Sequence, residues 1–204
     1  MTDPNFWPDI FKASTMLFFI LDPFGNIPLF NSILKPFSEA EKRKIICREN
    51  VFALIVLLAF LFIGPTMMNF LGLEKPALSF AGGIVLFIIA IKMLYPGKSD
   101  GEEVVDDPFI VPLAIPLVAG PTTIATLLLA SSNEPEKTLS WVIALVIAWS
   151  ASTLLLISSP YLIKFLGERG LKAMERLMGL LLVIMAIQFI LNGFTQYIAL
   201  HFPK

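Results

Sequence analysis

The sequence predicts an all-α membrane protein of six transmembrane helices, arranged as two inverted three-helix repeats with helices 1 and 4 discontinuous. Three observations lead there. Hydrophobic residues make up 56% of the 204 positions and charged residues 15%, against about 25% charged in soluble domains, and the mean hydropathy is +0.80. Apolar stretches long enough to cross a bilayer, about 20 residues each, recur six times with short connections. Matching residues also recur in the two halves at a nearly constant offset. Pro23 pairs with Pro121, Pro65-x4-Phe-Leu-Gly72 with Pro160-x4-Phe-Leu-Gly167, and Gly83-x6-Ala-Ile91 with Gly179-x6-Ala-Ile187.

Span one covers residues 10–34 and is interrupted near its middle by Leu21-Asp-Pro-Phe-Gly-Asn-Ile-Pro-Leu29. Residues 35–49 are mixed in charge and read as the start of an interfacial helix, with Ser38-Glu-Ala-Glu41 in the pattern of a capping box. Span two, residues 51–70, contains Gly64-Pro65, and span three, 76–94, contains Gly82-Gly83, small residues that allow helices to approach closely. Span four, 108–130, carries prolines at 108, 112, 116 and 121, and is interrupted by Val118-Ala-Gly-Pro-Thr-Thr-Ile124. Span five, 139–163, carries Trp141 as an interfacial anchor and holds Ser150, Ser152, Thr153, Ser158 and Ser159. The hydroxyls of Ser150, Ser152 and Thr153 are expected to bond to the preceding turn of their own helix. Span six, 177–199, includes Gly179, Gln188 and Asn192, the last two suited to hydrogen bonds between helices. The chain is thus one domain over 1–204: repeat one 1–95, an acidic linker 96–107, repeat two 108–204.

An odd number of spans per half makes the second half enter from the opposite side, so the repeats are inverted about an axis in the membrane plane. Lys35, Lys42, Arg43, Lys44, Arg48, Lys92, Lys98, Lys164, Arg169, Lys172 and Arg176 fall on one side, and only Lys12, Lys75, Lys137 and Lys204 on the other. The positive-inside rule then sends both termini outward.

Non-helical backbone at membrane depth is tolerated where it is buried in protein or lines a cavity. The two breaks therefore suggest one binding site. In this topology the helices restarting near Asn26 and Thr122 both aim their amino ends at the midplane, where free N–H groups and dipoles attract an anion. The preceding half-helices offer carbonyl oxygens there. That polarity suits a small zwitterion. The candidate site residues are Asp22, Pro23, Gly25 and Asn26 with Gly120, Pro121, Thr122 and Thr123. Asp22 is the one acidic residue well inside a predicted span. Three roles are open to it: binding a substrate ammonium, carrying a coupling proton, or capping the restarted helix. Thr122, Thr123 and Asn26 are open to capping or ligand contact.

Several classes are disfavoured. A net charge of −1 with no basic patch gives no footprint for nucleic acid. The single Cys47 and single His201 supply no metal cluster or disulfide, and no cofactor motif is present. The absence of a histidine or second intramembrane carboxylate beside Asp22 argues against an enzyme and against a divalent-metal exporter.

The paired motifs Asp22-Pro-x-Gly-x-x-Pro-x-Phe30 and Ile115-Pro-Leu-x-Ala-Gly-Pro-x-x-Ile124 resemble those of the MarC family of six-span membrane proteins, over essentially the whole chain. The resemblance implies kinship with LysE-type exporters and a place in the plasma (inner) membrane of a prokaryote. It also implies transport of small neutral amino acids such as glycine and alanine, and points to the same eight site residues. The leading expectation is a secondary transporter working by alternating access. A proton or sodium ion is the compatible coupling ion, Asp22 the coupling candidate, and the lipid bilayer the surrounding partner; a homo-oligomer is compatible. The alternative is a small-solute channel with a midplane filter formed by the two half-helices.

Overall fold

A computed structural model of the chain describes residues 6–34, 36–95 and 119–202, and within these it is helical, without strands. The helices are α1 (Phe6–Leu21), α2 (Pro23–Ile33), α3 (Glu39–Leu71), α4 (Lys75–Leu94), α5 (Pro121–Asn133), α6 (Thr138–Ile157) and α7 (Ser159–His201), with one 3-10 turn at Pro135–Lys137. Five stretches are long and apolar enough to cross a membrane: Phe6–Ile27, Glu39–Leu71, Lys75–Leu94, Pro135–Ile157 and Arg169–His201. Of the expected fourth span, residues 108–118 lie outside the described residues, as does the acidic linker 96–107; its second part is α5. Large apolar side chains such as Phe11, Ile55, Phe62, Ile84, Leu180 and Ile184 point outward, as lipid-facing surfaces require.

Each boundary has a local cause. The capping box expected at Ser38 is present: its hydroxyl receives the Glu41 N–H, and the Glu41 carboxylate receives the Ser38 N–H at 2.9 Å. This cap starts one continuous helix. Residues 39–49, expected at the interface, are therefore the first turns of α3 rather than a separate segment. The helix ends at Gly72, whose φ of 63° is left-handed and favours glycine. Its counterpart in the second half, Gly167, has a φ of 65° and kinks α7. The fifth span is shorter than expected. It stops at Ile157, turns at Ser158, and α7 restarts with Pro160 in its first turn, where a missing N–H does no harm.

Packing fixes the order across the membrane. The Asp9–Lys137 ion pair (3.3 Å) joins the start of α1 to the start of α6, so these two helices run in parallel. Lys75 Nζ donates to Ser132 O at 2.8 Å, which sets the start of α4 beside the end of α5 at that same face. An added Cβ at Gly193 would meet the Pro76 carbonyl at 3.1 Å, which brings the end of α7 there too. The described chain thus begins and ends at one face. Lys42, Arg43, Lys44, Arg48, Lys92, Lys164, Arg169, Lys172 and Arg176 lie toward the other.

The glycines in α4 and α7 are packing residues. A Cβ on Gly83 would meet the Ala186 carbonyl at 2.9 Å, and one on Gly179 the Ala90 carbonyl at 3.2 Å. Gly83 and Gly179, and Ala90 and Ala186, are the residues related by the sequence repeat, so this contact is reciprocal. Gly64 and Gly82 do the same for α5, opposing Leu128 and Ala125.

Candidate functional site

Helix α1 ends at Leu21 and α2 starts at Pro23, with Asp22 between them at φ 44°. Left-handed backbone is uncommon outside glycine, though Asp is among the residues that tolerate it. The turn is held by its own side chains. Asp22 Oδ1 accepts the Gly25 N–H at 3.1 Å, and Asn26 Nδ2 donates to the Leu21 carbonyl at 3.0 Å. Pro23, as the first helical residue, has no N–H to satisfy. Asp22 is 9% exposed, and Oδ2 has no hydrogen-bond partner among the described residues. Gly25 is required sterically: a Cβ there would overlap the Asp22 carboxylate and lie 2.6 Å from Met93 Cε. The break is therefore wedged against α4, while α2 also packs on α6 and α7.

The start of α5, where the second break was expected, differs in chemistry. Helix α5 starts at Pro121 behind Gly120, which occupies the N-cap position without a side chain to cap. Thr122 and Thr123 follow as the second and third helical residues, so neither serves as the N-cap that sequence made available to them. Both are buried. Among the described residues the Thr122 hydroxyl has no hydrogen-bond partner, although its carbonyl accepts from Thr126 Oγ1 at 2.8 Å.

The Asp22 break and the start of α5 share a depth. From Asp9 to Leu21 is about 18 Å of helix, and from Ser132 to Thr122 about 15 Å, at 1.5 Å per residue. Both start from the face where Lys137 and Lys75 sit, and both reach about halfway through a 30 Å hydrocarbon core. Among the described residues no hydrogen bond joins the two groups; α1 touches α5 directly, and α6 packs against both. The expectation that both restarted helices present free amino ends is corrected on one count. The α2 end is already occupied by the Asp22 carboxylate, and the α5 end has no side-chain cap among the described residues.

A cavity of about 400 Å³ leads toward this level from the face carrying the chain ends. Ser79, Thr126, Asn133, Trp141, Gln188 and Asn192 are among its lining residues, and Thr126 is one turn above Thr122. Gln188 Nε2 donates to Asn192 Oδ1 within α7, not between helices as sequence suggested.

Sequence reasoning missed a second buried polar group. Glu49 and Asn50 are fully buried, so Asp22 is not alone as an acid inside a span. Ser152 and Thr153 are buried with unpartnered hydroxyls, contrary to the expected bonds to their own helix. The signal for Glu49 and Asn50 was the spacing of Ile46, Asn50, Ala53, Leu57, Leu61, Gly64 and Met68, one continuous buried face.

Comparison with known proteins agrees with this architecture. Residues 7–198 match the model of the MarC family integral membrane proteins. The inner membrane protein YhgN of Escherichia coli strain K12 is 47% identical over 192 residues, 93% of this chain and 98% of that one. A membrane protein of Buchnera aphidicola subsp. Baizongia pistaciae is 41% identical over 194 residues (93% and 98%). One from Chlamydia pneumoniae is 34% identical over 185 residues (89% and 92%). No solved structure matches. With the family model covering nearly the whole chain and relatives matching over almost their full lengths, the protein belongs to the MarC family of integral membrane proteins.

Proposed function

We propose that the protein is a secondary transporter of small neutral amino acids, glycine- or alanine-sized, which binds its substrate at the midplane between the two breaks. The observation that carries this reading is their chemical asymmetry at a common depth. One presents a buried carboxylate hydrogen-bonded through Oδ1; the other presents a helix amino end without a side-chain cap among the described residues, beside the Thr122 hydroxyl, which has no partner among them. A zwitterion fits that pair one way round. Its ammonium meets Asp22, and its carboxylate meets the N–H groups of Thr122 and Thr123 and the positive end of α5. Pro23, Gly25, Asn26, Gly120 and Pro121 shape the backbone around it. A compact side chain is required because Met93 already crowds the Asp22 turn.

The reciprocal Gly83–Ala186 and Gly179–Ala90 contacts, and the paired left-handed glycines 72 and 167, support two inverted repeats that rock for alternating access. The basic face is cytoplasmic in this reading, both termini are outside, and the cavity above Thr126 is the outer vestibule. A proton or sodium gradient supplies the free energy.

Counter-flow of labelled glycine and alanine in proteoliposomes tests the proposal, with Asp22→Asn as the decisive variant. Asn caps helices as well as Asp, so this change removes charge and keeps the turn. Saturable exchange in the wild type, at least tenfold slower in Asp22→Asn, is the expected result. Unchanged exchange in the variant removes Asp22 from the binding site. Non-saturable flux without counter-flow replaces the transporter by a channel.

A further inference from the structure

Among the described residues, the side-chain atoms that are wholly shut off from solvent and lack a hydrogen-bond partner lie on three mutually packed helices: Glu49 Oε2 and Asn50 Oδ1 on α3, Thr122 Oγ1 on α5, and Ser152 Oγ and Thr153 Oγ1 on α6. Thr122 belongs to the midplane site. The other four lie on α3 and α6, two helices that pack against each other, toward the basic side of the membrane. Trp149 Nε1 donates to the Asn50 carbonyl at 2.7 Å, and Ile46 and Ile157 line one crevice a little further on. Between these two contacts, Ser152 and Thr153 fall at the level of Glu49 and Asn50.

These oxygens are not orphaned for want of local partners. Ser14, Thr15, Thr126 and Thr195 all donate to the carbonyl four residues back, at 2.7–2.9 Å. Ser152 and Thr153, in the same kind of helix, do not. Asn50 spends its amide nitrogen on the Ile46 carbonyl at 2.9 Å, which leaves its oxygen unpartnered. Arg48 holds Glu49 through Oε1 alone, at 2.7 and 2.9 Å, from a side chain 38% exposed to solvent. A buried carboxylate oxygen, an amide oxygen and two hydroxyls form an all-oxygen set without nitrogen or sulfur, the donor type of a hard cation. One carboxylate, already shared with an arginine, supplies too little charge for a divalent ion.

We infer that Glu49 Oε2, Asn50 Oδ1, Ser152 Oγ and Thr153 Oγ1 form a binding site for a monovalent cation, sodium, between α3 and α6. The site is separate from Asp22. Its use as a coupling site rests on the transporter reading; its existence does not.

The test needs no amino acid. Thermal unfolding of the full chain in detergent is followed against NaCl, with KCl or choline chloride holding ionic strength constant. A saturable rise in midpoint with Na⁺, absent with K⁺ and choline, is expected of the wild type. In Ser152→Ala/Thr153→Val, which preserves packing, the half-saturating Na⁺ concentration should rise at least tenfold, and Glu49→Gln should abolish the response. Should Glu49→Gln fail to fold, the double variant decides alone. A midpoint indifferent to Na⁺, or equally raised by K⁺ or choline, overturns the site, as does a Na⁺ response that the double variant leaves unchanged. Counter-flow lost while Na⁺ binding persists, or the reverse, separates this inference from the transport proposal.

Discussion

Substituting Gly25 by alanine probes the first break most sharply, because the ordinary expectation has the opposite sign. Within a helix, Gly→Ala is stabilising by about 1 kcal/mol. Gly25 lies in the first turn of α2 at ordinary helical geometry, so that gain applies. Against it stands the new Cβ, which would overlap the Asp22 carboxylate and approach Met93 Cε at 2.6 Å. Methionine can bend away, but the carboxylate is fixed by its hydrogen bond to the Gly25 N–H. Displacing it removes the cap of α2, worth about 1 kcal/mol, and forcing the fit adds about 1–3 kcal/mol of overpacking. The net is a loss of about 1–3 kcal/mol. Thermal unfolding of purified protein measures it, with Gly25→Ala/Met93→Ala as companion. Removing the Met93 side chain relieves one clash and not the other, so the companion should stay destabilised relative to Met93→Ala alone. A Gly25→Ala protein as stable as wild type, or more so, would refute the reasoning that Asp22 is locked as the cap.

The two remaining changes address the α5 end. Thr122→Val replaces an unpartnered buried hydroxyl by a methyl group, so stability should be unchanged or slightly higher, while amino-acid exchange falls at least tenfold; a clear loss of stability would show that the hydroxyl already has a partner. Gly120→Asp supplies the missing N-cap at a backbone geometry (φ −67°, ψ 158°) open to any residue. It should stabilise α5 by about 0.3 kcal/mol and abolish exchange, because its carboxylate takes the position assigned to that of the substrate. Retained exchange with raised stability would move the substrate away from α5.

The features legible in sequence were those with local causes. Ser38 and Glu41 announced a helix start through spacing alone, Asp22-Pro23 announced the first break because a proline follows a residue type that tolerates left-handed backbone, and Pro121 announced the start of α5 because proline suits a first helical turn. The roles of Gly83 and Gly179 followed from their size and their repeat. What sequence hid was tertiary. Glu49 and Asn50 follow Lys42, Arg43, Lys44 and Arg48, and composition alone assigns that run to the interface. Their burial depends on α6, which presents Trp149 to the Asn50 carbonyl, a contact spanning nearly a hundred residues. Ser152 and Thr153 obey the local rule for helical hydroxyls in sequence and break it in the fold. The asymmetry of the breaks was also out of reach, since it depends on which break turns its own carboxylate inward.

That asymmetry bears on why the breaks persist. An interruption in a spanning helix leaves backbone donors and acceptors without partners, and in hydrocarbon each costs several kcal/mol. At residue 22 the chain offsets the cost from its own residues: Pro23 has no donor, Asp22 accepts from Gly25, and Asn26 reaches back to Leu21. At residue 120 no side chain among the described residues does so, although Ser, Thr, Asp or Asn in place of Gly120 would cap α5 without backbone strain. A sequence that caps one end and leaves the other open is poorly explained by stability alone, because the same remedy was available to both. It is explained if the second helix end is completed by a ligand, whose carboxylate does for α5 what Asp22 does for α2.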